Sequence, residues 1–184
     1  MSSVHASVDI RAGKHDHQPP RVACTGLRPL PYRRMTMHHD KPHPGAVWIA
    51  AAHPDPDQVW EEWRSLLAVA LIPAGTDWDA VSMRYRRMVA VAETLGPVCD
   101  NWVVLSDLRI DRVYVLVPTG TAAQWSEPGT DALSESDWLV VPEPGGTATS
   151  RAAWIREPTA TTELADPDTL LAALRVIADN GKQP

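Results

Sequence analysis

The residues able to carry chemistry in this 184-residue chain are few, and the first group is acidic. Asp77-Trp78-Asp79 is an Asp-x-Asp at the head of a strand-like run. Two carboxylates facing one side could hold a hard divalent cation such as Mg²⁺ through oxygen ligands, as phosphoryl-transfer sites do. Three or more ligands are wanted, and only Asp107 and Asp111 are plausible additions. In a chain this acidic, such a pair also arises readily in a turn. The second group is basic. Arg84, Arg86 and Arg87 flank Tyr85 on a predicted helix. With Arg109 and Arg112 they could make a phosphate-binding face, although the solvated side of a surface helix is the plainer account.

Other chemistries lack their parts. His15, His17, His38, His39 and His43 lie in the N-terminal stretch. They could chelate Zn²⁺ or Ni²⁺, but a segment without fixed geometry makes adventitious binding the simpler reading. Beyond residue 44 the only histidine is His53, so a histidine general base or triad has almost no candidate. Ser106, Ser134, Ser136 and Ser150 sit in no nucleophile-elbow context. Cys99 follows Gly96-Pro97 without a histidine partner. Gly145-Gly146-Thr147 precedes no clear helix, and neither a P-loop nor a dinucleotide fingerprint occurs.

Charge divides the chain in two. Residues 1–44 carry seven Lys/Arg against three Asp, a balance of +4, and six of the seven histidines. Residues 45–184 carry ten Lys/Arg against twenty Asp/Glu, a balance of −10. An acidic body repels a polyanion, so nucleic-acid binding needs a local basic face or the tail. The tail is dense in Pro, His, Arg and Gly and has no sustained period. It cannot bury enough apolar surface to offset the entropy of ordering, and is expected to be disordered. Met35 and Met37 stand just before the foldable part, and either could be the natural start. No apolar block follows Met1, and no run approaches the roughly 20 residues of a membrane span. Cys24 and Cys99 suggest neither a disulfide framework nor a metal knuckle, so a reducing, cytoplasmic setting is the simplest expectation.

The elements that must position these residues begin at Gly45. Ala46 to Ala51 is predicted as a first strand. Asp55-Pro56-Asp57-Gln58 is a helix start, with Asp55 as cap, Pro56 at the first helical position and Gln58 completing a capping box. Val59, Trp60, Trp63, Leu66 and Leu67 follow at helical spacing and lay two indoles on the core. Val69 to Ile72, continuous and apolar, is predicted as a strand buried on both faces. Trp78 to Met83 alternates as a strand, and Tyr85 to Leu95 forms a helix that Gly96-Pro97 ends. Trp102–Leu105 and Val113–Val117 form a hairpin across Ser106–Arg112. Residues 119–136 are expected to be loop, with a helical turn around Thr121 to Trp125. Trp138–Val141 is a further strand, Ala152–Ile155 an edge strand, and Asp166-Pro167-Asp168 opens a last helix through Leu170, Leu171, Leu174 and Ile177. Three helices and five or six strands predict a single α/β (α+β) mixed-sheet sandwich over 45–184. Most tryptophans are expected in the core.

The element order resembles a known family. Val47-Trp48-Ile49-Ala50-Ala51, an Asp-Pro helix with two Trp, and Ala70-Leu71-Ile72-Pro73-Ala74-Gly75-Thr76 carry the likeness. So do Trp78-Asp79-Ala80-Val81, the helix to Gly96-Pro97-Val98, and the strand from Val113 to Gly120. Over 45–142 the chain resembles the prim-pol domain of bifunctional DNA primase/polymerases, especially short divergent actinobacterial-type members. That family joins nucleotides with an acidic pair on a strand, a histidine on the later hairpin, and divalent metal. Here the expected acidic positions hold Ser82 and Arg84, or else the pair has slid to Asp77 and Asp79. The hairpin position is Asp111 or Arg112, with no histidine. Without its carboxylates such a site cannot hold the metals that stabilise phosphoryl transfer. The resemblance thus implies a catalytically silent accessory protein without cofactor, binding a partner protein or nucleic acid in a replication or mobile-element setting. The alternative is a metal-dependent nucleotidyl-transfer or phosphate-ester enzyme using Asp77, Asp79 and Asp111 with Mg²⁺. Self-association through surface tryptophans is a third expectation, and no membrane partner is expected.

Overall fold

A computed structural model describes residues 41–107, 109–160 and 163–180, all within the unit His38–Pro184. The expectations for residues 1–40 (disorder, the histidine cluster up to His39, Cys24 and the two candidate starts) lie outside the described residues.

The chain enters on a helix, not a strand. Helix α1 spans Pro44–Ala51, with Pro44 at its first position and Gly45 N–H donating to Nδ1 of the capping His43 at 3.2 Å. A short, wholly apolar run reads equally as buried strand or buried helix; Pro44 and its cap suit a helix start, and burial selects it. The buried residues Ala46, Ile49 and Ala50 follow helical spacing.

Helix α2, Pro56–Trp63, starts as its sequence requires: Gln58 N–H donates to Asp55 Oδ1 at 3.3 Å behind Pro56. The reciprocal half of the capping box is absent, because Asp55 N–H donates to His53 Nδ1 at 3.0 Å, and Gln58 Nε2 donates to Glu62 Oε1 at 2.8 Å. The helix also ends at Trp63, leaving Leu66 fully exposed at 101% instead of packed. Trp63 is buried and donates from Nε1 to Val141 O at 2.9 Å, while Trp60 packs edge-on against it with centroids 5.1 Å apart.

Strand β1, Val69–Pro73, pairs antiparallel with β6, Trp138–Pro142, as a separate two-stranded sheet. Ala70, Ile72, Leu139 and Val141 point inward, whereas Leu71 and Trp138 are half exposed. The apolar run of β1 is thus buried on one face only, contrary to expectation, because the second sheet is only two strands wide.

The main sheet has the order β5-β2-β4-β3-β7. Its strands are β2 (Asp79–Arg84), β3 (Val104–Asp107), β4 (Arg112–Val117), β5 (Asp131–Leu133) and β7 (Ala152–Arg156). β3 and β4 form the expected hairpin, and β7 is the expected edge. β2 and β3 both run antiparallel to β4 between them, so helix α3, Tyr85–Leu95, links two parallel strands across an inserted one, a split β-α-β unit. The short β5 lies inside the stretch expected to be loop. Its side chains are at most half buried, so only pairing with β2 defines it.

Alternation along β2 and β4 splits the core in two. Val81, Met83, Val113, Val115 and Val117 meet α3 and α4 (Pro167–Asn180) through Met88, Val91, Leu170, Ala173 and Leu174. Ala80, Leu116 and Leu105 meet α1, α2 and the small sheet through Ile49, Val59, Trp63, Ile72 and Leu139. Helix α4 is capped by Asp166, whose Oδ2 accepts from Thr169 N at 2.9 Å and Thr169 Oγ1 at 2.5 Å; these bonds hold its carboxyl below the ordinary range. The whole is an α+β sandwich of four helices and seven strands among the described residues. Of the eight tryptophans, Trp63, Trp78 and Trp102 are buried. Trp48, Trp60, Trp125 and Trp154 are half-buried, and Trp138 is exposed. The core thus takes fewer tryptophans than expected, since those on β6, β7 and α1 sit at the rims of narrow layers. No helix among the described residues is long and apolar enough to cross a membrane.

Candidate functional site

One end of the main sheet gathers charged groups that the rest of the core excludes. On the face toward α1 and α2, Ser82 stands opposite Tyr114, and Arg84 opposite Arg112. Across the next ladder Arg112 stands opposite Asp107, and on the other side Ser82 stands opposite Asp131. The alternation that sends Val81 and Met83 to the helices sends Ser82 and Arg84 to this face.

Arg112 is the centre of the cluster. Its Nη1 lies 3.1 Å from Asp131 Oδ2 and donates to the hydroxyl of the buried Ser82 at 3.5 Å. Arg84 reaches Asp111 at 4.0 Å, with both side chains mostly exposed. Asp111 adopts a positive φ of 53° in the β3–β4 turn, and Arg109 N–H donates to Asp107 Oδ1 at 2.9 Å in the same turn. Burial raises the pKa of Tyr114, the Asp107 carboxylate adds to the rise, and the Arg112 guanidinium opposes it. The tyrosine is therefore a neutral hydroxyl at physiological pH.

Helix α3 starts at this same end. It follows β2 without a loop, and no side chain caps its first N–H groups. Those groups carry the positive end of the helix dipole. Arg84, Arg109 and Arg112, a hydroxyl, a phenol and an open helix start are thus arranged at one edge of the sheet. Such groups take phosphate oxygens directly.

The expected arginine face is only partly assembled. Arg84 is the last residue of β2 and does not share a helix face with Arg86 and Arg87. Arg87 turns away, donating from Nη1 to Pro128 O at 2.5 Å and pairing through Nη2 with Glu127 at 3.3 Å. Glu127 is nearly buried and also reaches Arg175 of α4 at 3.7 Å. Arg86 is exposed on α3. Arg84 and Arg112 stand opposite each other and Arg109 lies in the turn between β3 and β4, whereas Arg87 is held elsewhere by Pro128 and Glu127.

The acidic set is not assembled. Asp77 is exposed in the turn before β2, while Asp79 is fully buried on the opposite sheet face and accepts from Ala122 N at 2.8 Å through Oδ2. Asp111 lies beyond Arg112, at the other end of the β2–β4 ladder from Asp79 and Val117, roughly 20 Å away at about 3.4 Å per residue. Ligands of one divalent cation must all lie within about 2.6 Å of it. These three carboxylates therefore do not fit a shared Mg²⁺: Asp77 lies in the exposed turn before β2, Asp79 is buried, and Asp111 lies at the far end of the ladder. Among the described residues, no three His, Cys, Asp or Glu side chains gather to hold a metal.

Tyr114, Ser82 and Asp131 carry no local signal in the sequence as binding residues, and Asp107, offered there as a metal ligand, stands opposite Arg112 instead. Only strand register places them together. No protein-family model, curated protein or solved structure matches this chain.

Proposed function

We propose that this chain is a non-catalytic accessory protein on a prim-pol-like domain, and that it binds single-stranded nucleic acid in a replication or mobile-element setting. The observation that carries the reading is the substitution pattern at the sheet end. Where the resemblance expects metal-holding carboxylates stand Ser82 and Arg84, and across the ladder from them Tyr114 and Arg112. A guanidinium takes a phosphate oxygen without a bridging cation. A sheet end with a half-buried tyrosine beside solvent-accessible arginines suits unstacked strands better than a duplex.

Asp107, Asp111 and Asp131 offset the three arginines, so binding is modest and sensitive to salt. Three phosphates contacted on a single strand give a slope of log affinity against log salt of about −2. The test is fluorescence anisotropy of labelled single- and double-stranded DNA with the full chain over a salt series, with and without Mg²⁺. The expected result is Mg²⁺-independent binding that prefers the single strand. The double variant Arg84→Ala/Arg109→Ala should weaken it and flatten the slope by about 0.7 for each arginine removed. An unchanged slope removes this face from the interface. No binding at all moves the reading to a protein partner, and nucleotide incorporation by the pure protein overturns it.

A further inference from the structure

A second feature lies where the chain leaves β6 and enters β7, two strands across from Arg112. A cavity of about 330 Å³ opens there, walled by Pro142, Trp154 and Ile155, with Glu143 and Glu157 among its lining residues. Trp154 is fixed by donating from Nε1 to Pro142 O at 3.0 Å. Glu157 is fixed by accepting from Gly145 N at 2.7 Å through Oε2, which leaves Oε1 only the distant His43 Nε2 at 4.0 Å. Gly145 makes this possible: its φ is +76°, and a Cβ there would come within 2.9 Å of the His43 ring. No lysine or arginine lines the cavity.

A pocket with an indole and apolar walls beside two carboxylates matches a flexible apolar stem ending in a cation. The wall formed by Thr147 and Ala148 is shared with a second cavity of about 260 Å³, lined by Leu66, Leu67 and Arg151. Leu66 is wholly exposed and Leu67 about half exposed, although both are apolar. The two cavities adjoin, the first lined by two carboxylates and the second by the exposed leucines together with Thr149, Ser150 and Arg151. A polyamine fills only the first, whereas a polypeptide uses both.

We infer that this pair of cavities receives an extended segment of a partner protein, seating an arginine or lysine side chain against Trp154, Glu143 and Glu157 and apolar residues against Leu66 and Leu67. The site shares no residue with the arginine cluster, and its test uses peptides without nucleic acid.

The experiment titrates ¹⁵N-labelled full-length protein with a capped peptide containing leucine and arginine, following the indole N–H signals. The Trp154 signal is identified by its loss in Trp154→Phe. The matched peptide with citrulline in place of arginine removes only the charge. The arginine peptide should shift the Trp154 signal saturably, with the citrulline peptide about fivefold weaker or worse, as expected for loss of an ion pair worth about 1 kcal/mol. Glu143→Gln, at an exposed position that leaves the fold intact, should weaken the arginine peptide by a similar factor and leave the citrulline peptide unchanged. Leu66→Ser should weaken both peptides. Equal binding of the two peptides, no response at Trp154, or indifference to Glu143→Gln overturns the inference. Spermidine binding as tightly as the peptide overturns the assignment to a polypeptide.

Discussion

Replacing Asp79 by alanine should destabilise the fold without touching any surface. The side chain is fully buried, and its Oδ2 accepts from Ala122 N at 2.8 Å, holding the short 3-10 turn Ala122–Gln124 against the end of β2. A hydrogen bond to a charged group contributes about 1.5–3 kcal/mol. Some of that is offset in the variant, since the other oxygen, Oδ1, is buried with no partner among the described residues and is removed too. The expected net loss is about 1–3 kcal/mol, or a fall of about 3–9 °C in Tm at about 3 °C per kcal/mol for a folded region of this size. Asp79→Asn keeps an acceptor for Ala122 and removes the buried charge, so it should stay within about 1 kcal/mol of the parent. Thermal melts followed by circular dichroism give both numbers, and amide exchange at Ala122 should accelerate in the alanine variant alone. The reasoning fails if Asp79→Ala melts within about 1 °C of the parent, or if Asp79→Asn costs as much as Asp79→Ala. A rise in Tm with Mg²⁺ that Asp79→Asn abolishes would restore the metal reading in place of the structural one.

Three further outcomes follow from the packing and the charges around Tyr114. Gly45→Ala should destabilise by about 1–3 kcal/mol through overpacking, although alanine is the better helix former by about 1 kcal/mol; its Cβ would lie 1.9 Å from Pro158 O, and denaturant melts decide the sign. The raised pKa of Tyr114 means the fold favours its neutral phenol, so its contribution is complete below the unfolded value near 10.0 and is lost as pH rises through the folded one. Tyr114→Phe should therefore flatten the alkaline loss of stability. Asp107→Asn should shift phenolate formation, read by near-ultraviolet absorbance, to lower pH, because it removes a charge that raises this pKa.

Local chemistry was enough wherever one residue's conformational demand decides the outcome. Asp55-Pro56 starts α2, Gly96 with φ +55° ends α3, and Asp166 caps α4, each as the sequence requires. Alternation in β2 and β4 and the polar interruption between β3 and β4 likewise showed strands and a hairpin. The α+β class follows from these. Two features escaped because tertiary contacts set them. Residues 46–51 are apolar throughout, so no period separates strand from helix, and burial of Ala46, Ile49 and Ala50 beneath α2 and the sheet selects the helix. β5 exists only through its pairing with β2.

The candidate site was legible by residue type but not by composition as a set. The sequence singles out Arg84, Arg109 and Arg112 as cations, yet it equally offers Arg86, Arg87, Asp77 and Asp79. Which of them meet depends on the β2–β4 register. A strand's side chains alternate, so Arg84 joins Arg112 while Asp79, an odd number of residues away, turns into the opposite core. Propensity and capping are properties of neighbours in the chain, and the sequence determines them by itself. Register, face and layer are relations between distant segments, and only the folded chain decides them.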